Sequence, residues 1–256
     1  MTFKDTEALL LRLGEASERV VVVGGQAVNF WADFYADRVA ELRDNGPFSS
    51  KDVDVCADRR DVRLFARKLE GTPKVAELDD NAPQLGTVTF VDANGVQRVL
   101  DIMADLTGLR GQEVAESAIA FVYANESGDR VAFKVMHPVH VLVSRACNVV
   151  ASAKYQTEHG LGQLQASVFC AREYLKDMLP TDPKKVRDWN EYIFRFRTKN
   201  RSGKQVAIEY GVDVFDAVVI GPELGDKFCT IRYRQMHIAV QKLREARASG
   251  RPDHKG

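Results

Sequence analysis

The chain has little cysteine. Its four thiols, Cys56, Cys147, Cys170 and Cys229, are scattered over 256 residues with no CxxC pair and no histidine placed to complete one. That spacing argues against zinc and predicts reduced structural thiols. No run of about eighteen apolar residues occurs, which excludes a transmembrane helix. The opening MTFKDTEALLLRLG carries acids and lacks the basic start, apolar middle and small-residue cleavage site of a secretion signal. These absences together predict a cytoplasmic protein with no membrane partner. Two nucleotide-binding fingerprints are missing as well: neither GxxxxGK[ST] nor GxGxxG is present, so a P-loop and a dinucleotide fold are excluded. There is no internal repeat and no low-complexity segment.

Net charge is also absent, with 36 basic against 36 acidic residues, but the balance is local rather than uniform. Residues 1–137 carry 16 Lys and Arg against 23 Asp and Glu, or −7; residues 138–256 carry 20 against 13, or +7. Such an asymmetry suggests two parts with different partners. The length and the 45% apolar content supply enough core for one large or two modest domains.

What is there begins with a helix over Asp5–Leu13, with Leu9, Leu10 and Leu13 on one face and Gly14 ending it. RVVVVGG reads as a short buried strand. QAVNFWADFYADRVAELR has the apolar spacing of a helix, with Trp31, Phe34 and Tyr35 on its buried face. DNGPFSS is a loop, and KDVDVCA alternates as a strand. DRRDVRLFARKLEG reads as a helix capped by Asp58 and stopped by Gly71. LGTVTFVDANGVQRVLDIMA is a hairpin around Asn94-Gly95, and AIAFVYANESGDRVAFKVM a second one. Beyond His137-Pro138 the patterns are helical, so a domain boundary is expected near residue 138. The expected fold is α/β: a catalytic-type domain over 1–137 with a mixed sheet flanked by helices, then a helical domain over 138–256.

Residues two apart in a strand face the same way, so Asp52 and Asp54 project together from KDVDV while Val53 and Val55 enter the core. Two close carboxylates repel unless a cation sits between them, and Mg²⁺ is the simplest such cation for Asp oxygens. Asp-Val-Asp alone equally describes a solvated strand face. A third acid changes the weighing: Asp101 lies amid Val99, Leu100, Ile102 and Met103, where a carboxylate is expensive unless paired or liganded. If its strand lies beside KDVDV, the three carboxylates converge. Gly24-Gly25, between a strand and a helix, adds unpaired backbone N–H groups at a helix N-terminus, where a phosphate can approach without meeting a Cβ. A phosphate cradle beside an acidic strand is what a nucleoside triphosphate with Mg²⁺ requires.

Strand–GG–helix, then Ser-x-Asp-hydrophobic-Asp, then a later strand Asp resembles the DNA polymerase β-type nucleotidyltransferase superfamily. Within it, VVVGGQAVNFWA followed by SSKDVDV is most similar to the AbiE-type (abortive-infection toxin) nucleotidyltransferase-like proteins. The resemblance covers roughly residues 18–105. It implies that Gly24 and Gly25 hold the triphosphate, that Ser50 bonds a phosphate, that Asp52 and Asp54 ligand Mg²⁺, and that Asp101 is third ligand or base. It further implies transfer of a nucleoside monophosphate from an NTP to an acceptor, and a cognate antitoxin. The chain departs from the pattern in its spacing of 28 positions from Gly24 to Asp52, which predicts an extended connection, and in Phe48, where the toxin enzymes tend to carry Arg.

Lys51 and Lys134 are further candidates to reach a triphosphate, though either reads equally as a surface lysine. PKKVRDW, FRFRTKNRSGK and IRYR interleave basic residues with Trp189, Phe194, Phe196 and Tyr233. Such mixing suits RNA, a tRNA end included, as acceptor; it also describes amphipathic helices with a wet arginine side. The alternatives are a small-molecule, antibiotic-type nucleotidyltransferase and a non-catalytic module that binds nucleotide or a partner protein.

Overall fold

A computed structural model describes residues 3–46, 48, 52–77, 83–124, 128 and 130–248. The chain divides into two compact units, residues 1–144 and 145–256. The first is built on a seven-stranded mixed sheet in the order β3-β4-β5-β2-β1-β7-β6. Its strands are β1 (Val21–Val22), β2 (Val53–Cys56), β3 (Thr72–Val75), β4 (Gln84–Val91), β5 (Gln97–Met103), β6 (Ile119–Ala124) and β7 (Arg130–Val135). β2 runs parallel to β5 and antiparallel to β1, while β1 runs parallel to β7.

Alternation decides which face is buried. Val53, Val55, Leu100, Ile102 and Val88 are fully buried on one side, and their neighbours on the other side are not. The first helices are α1 (Phe3–Leu13), α2 (Gly24–Tyr35), α3 (Ala40–Asp44), α4 (Asp61–Leu69) and α5 (Gly111–Ser117). α1 ends where Gly14 takes φ +58. Both expected hairpins form, and Asp92 organises the first: its carboxylate accepts from the N–H groups of Asn94 and Val96 and pairs with Arg98.

Several local expectations need correction. The long helix expected after Gly-Gly is two helices, because Val39 is extended between α2 and α3. Trp31 and Tyr35 are buried as read, but Phe34 is 51% exposed while its ring meets those of Phe30, Trp31, Tyr35 and Phe121. α4 starts at Asp61 rather than under an Asp58 cap, and Glu70, not Gly71, takes the left-handed turn at its end. Asp61 is buried and paired with Arg19 at 3.0 Å, so it serves the packing of the helix start. β3 and α5 were not foreseen.

The second unit is helical. Helix α6 (Pro138–Ala151) begins in the first unit and ends in the second; α7 (Glu158–Met178), α8 (Pro183–Lys199), α9 (Arg201–Glu209) and α10 (Tyr233–Ala248) follow. Asp182 caps α8, with Pro183 at its first position, and Asn200 caps α9. The helical pattern expected beyond His137-Pro138 breaks at Gly211, which has φ +73, and resumes as a 3₁₀ turn over Val214–Ala217. Arg197, buried in α8, donates to Asp213 at 2.8 Å, and Arg244 of α10 grips the same carboxylate at 3.0 Å. Among the described residues no helix is long and apolar enough to cross a membrane.

Candidate functional site

Asp54 and Asp101 lie directly opposite each other on the adjacent parallel strands β2 and β5. Partners in register share a face, and neighbouring strands stand about 4.8 Å apart. Two carboxylates from points 47 positions apart in sequence are therefore side by side on the face opposite the Val53–Leu100 core. The same register row continues through Thr87 of β4 to Lys74 of β3, giving four polar residues in line.

Asp101 is held in place. Gln84 donates from Nε2 to Asp101 Oδ1 at 2.6 Å. A bulge between Gln84 and Gly86 makes this contact available, because the extra residue turns Gln84 onto the Asp101 face. Sequence reading missed Gln84, Thr87 and Lys74. The alternation of QLGTVTF would place Gln84 on the opposite face from Thr87, and a bulge has no sequence signature of its own there.

Asp54 packs against Gly24. Val23 donates its N–H to the Asp54 carbonyl at 3.0 Å, bringing the end of β1 and the start of α2 against β2. Gly24 has φ +62, and a Cβ built on it would stand 2.9 Å from Asp54 Cγ and closer still to Oδ2. Glycine is thus required here twice over, by the left-handed backbone and by the carboxylate that fills its side-chain position. α2 has no side-chain cap at Val23, so its first turn, Gly24-Gly25-Gln26, directs backbone N–H groups toward that region with the positive end of the helix dipole.

Asp52 is placed differently from the expectation. It occupies the bend immediately before β2 rather than the strand itself, and is half-buried. Ser50 and Lys51 lie outside the described residues. Lys134 is exposed on β7, in register with Val21 rather than with the acidic row. Among the described residues no group of three or more His, Cys, Asp or Glu side chains is placed to hold a metal ion. The donor set still fits Mg²⁺, which is commonly held by one or two carboxylates while phosphate oxygens and water fill its other positions.

The field of the acidic row reaches along β2. Burial, followed by the charges of Asp105 and Asp54, pushes the Cys56 thiol up to about 12, so it stays protonated at neutral pH. His137 is buried and its pKa falls to about 3, with burial the main cause and His140 second; its Nδ1 accepts from the Val139 N–H at the start of α6. Neither histidine belongs to the acidic row.

The basic and aromatic stretches of the second unit divide on inspection. Arg197 is buried against Asp213, Arg232 is paired with both oxygens of Glu191, and Phe196 is buried. Lys184, Lys185, Arg187, Arg195, Lys199 and Arg201 remain exposed along α8 and the start of α9. No protein-family model matches this chain, and no curated protein matches it.

Proposed function

We propose that the first unit is a Mg²⁺-dependent nucleotidyltransferase. The observation that carries the reading is the registered Asp54–Asp101 pair with the glycine start of α2 packed on the Asp54 carboxylate. A seven-stranded mixed sheet with accompanying helices is compatible with the fold that the resemblance implies.

In this reading the registered pair Asp54 and Asp101 would hold the ion, which when bound would neutralise charge on the phosphates, while Asp52 stands at the bend entering β2. The α2 N-terminus takes phosphate oxygens through its backbone N–H groups and the positive end of its dipole. Gln84 fixes the Asp101 carboxylate. An acceptor hydroxyl oxygen attacks the α-phosphorus and its proton passes to Asp101. A new O–P bond forms as the α–β bridging bond breaks, and pyrophosphate leaves. Positioning and charge complementarity supply most of the rate in such a step.

For the acceptor, the exposed lysines and arginines of α8 and α9 support RNA, a tRNA end included. A toxin countered by a cognate antitoxin is the biological setting that this chemistry and the resemblance favour. The test is incubation of the full chain with each labelled NTP, Mg²⁺ and total RNA. Label on RNA that requires Mg²⁺ and is lost in Asp101→Asn is the expected result. Label only on added small molecules moves the reading to a small-molecule enzyme. NTP binding with no transfer to either leaves a nucleotide-binding module.

A further inference from the structure

A cavity lies further along the sheet face that carries Asp54 and Asp101. Two residues beyond Asp54 and Asp101, the register row Met103–Cys56–Val21–Lys134 crosses β5, β2, β1 and β7. Above it is a pocket of about 570 Å³, walled by α5 through Ala115 and by the segment before β1 through Glu18. This size lies within the range of small-molecule sites.

The floor is formed by Val21, Met103, Ala104 and the small thiol-bearing side chain of Cys56. Most of the charge in the walls is internally matched. Arg19 pairs with Asp61 at 3.0 Å and Arg60 with Asp58 at 2.8 Å. Glu18 and Lys134 remain, and neither makes a side-chain hydrogen bond or ion pair among the described residues. An apolar floor with one uncommitted charge of each sign is complementary to a molecule carrying both charges and an apolar body. A simple anion would meet Glu18, and a simple cation would meet Lys134.

We propose that this pocket binds a zwitterionic small molecule of the amino-acid type, its carboxylate toward Lys134, its ammonium toward Glu18 and its side chain on the Val21–Met103 floor. The site is independent of the triphosphate reading and needs neither metal nor nucleotide.

Isothermal titration of the full chain, without NTP or Mg²⁺, uses L-phenylalanine and L-methionine as probes. 3-Phenylpropionate and 2-phenylethylamine each lack one of the two charges. The expected result is binding of at least one amino acid, weakened tenfold or more in the analogue missing either charge. Lys134→Met should remove the preference for L-phenylalanine over 2-phenylethylamine. Ala115→Trp fills the cavity from an exposed position and should abolish binding while circular dichroism is unchanged. Binding of neither amino acid, equal binding of the singly charged analogues, or undiminished binding in folded Ala115→Trp would overturn the proposal.

Discussion

Gly24 is the residue on which the acidic row depends. Replacement by alanine imposes a left-handed backbone on a Cβ and drives that Cβ into the Asp54 carboxylate. Gly95 also has a positive φ, +77, but a Cβ there meets nothing within 4 Å. Gly95→Ala should therefore carry only the backbone cost, about 1 kcal/mol, whereas Gly24→Ala should cost about 2–4 kcal/mol. Urea denaturation of the two variants measures the difference, and equal losses would mean that Asp54 is not packed where described. His137 provides a second test at this scale. Its folded pKa, about 3, lies below the ordinary 6.5, so the unfolded chain takes up a proton first as pH falls. Its contribution is complete above pH 6.5 and declines toward pH 3, by at most about 1.4 kcal/mol per pH unit. His137→Asn keeps an acceptor for the Val139 N–H and should flatten the fall in stability between pH 7 and pH 4. An unchanged slope would assign the titration elsewhere.

Between elements, the buried ion pair on Asp213 joins α8, the Val214–Ala217 turn and α10. Arg197 is 2% exposed, so removing its partner leaves a buried charge uncompensated. Asp213→Ala should cost about 3–5 kcal/mol, while Arg244→Ala, at the wetter end of the same network, should cost about 1 kcal/mol. Thermal unfolding of the two variants measures this ordering, and its reversal would refute the account. The pair also explains why FRFR misleads as a sequence pattern: Arg195 is exposed and Arg197 buried, and nothing in the string itself separates them. Elements with strong local chemistry were legible. Asn94-Gly95 identifies its hairpin because Gly95 supplies the positive φ of the turn, and the hydrophobic spacing of α1 and α7–α10 identifies helices. β3 was not, since Thr-Pro-Lys-Val is short and carries Pro73, which an edge strand accepts and a central one does not. The Gln84 bulge and the break at Val39 depend on tertiary packing, which periodicity does not encode.

Across the whole molecule, the charge asymmetry read from composition survives the division at residue 144, because residues 138–144 carry no Asp, Glu, Lys or Arg. What the sequence could not supply is the pairing of β2 with β5, a parallel contact between segments nearly fifty residues apart. Buried valines and leucines on one face fix that register, and Asp54 meets Asp101 on the other as a consequence. The sheet and the acidic row therefore depend on the same strand pair. The most direct measurement is Mg²⁺-dependent binding of the four common NTPs, by titration calorimetry, to the natural chain and to Asp54→Asn/Asp101→Asn. The account predicts that at least one NTP binds the natural chain only when Mg²⁺ is present, and that the double variant loses this binding at least a hundredfold with its melting temperature retained. Binding that ignores Mg²⁺, that persists in the double variant, or that is absent for all four nucleotides would contradict it.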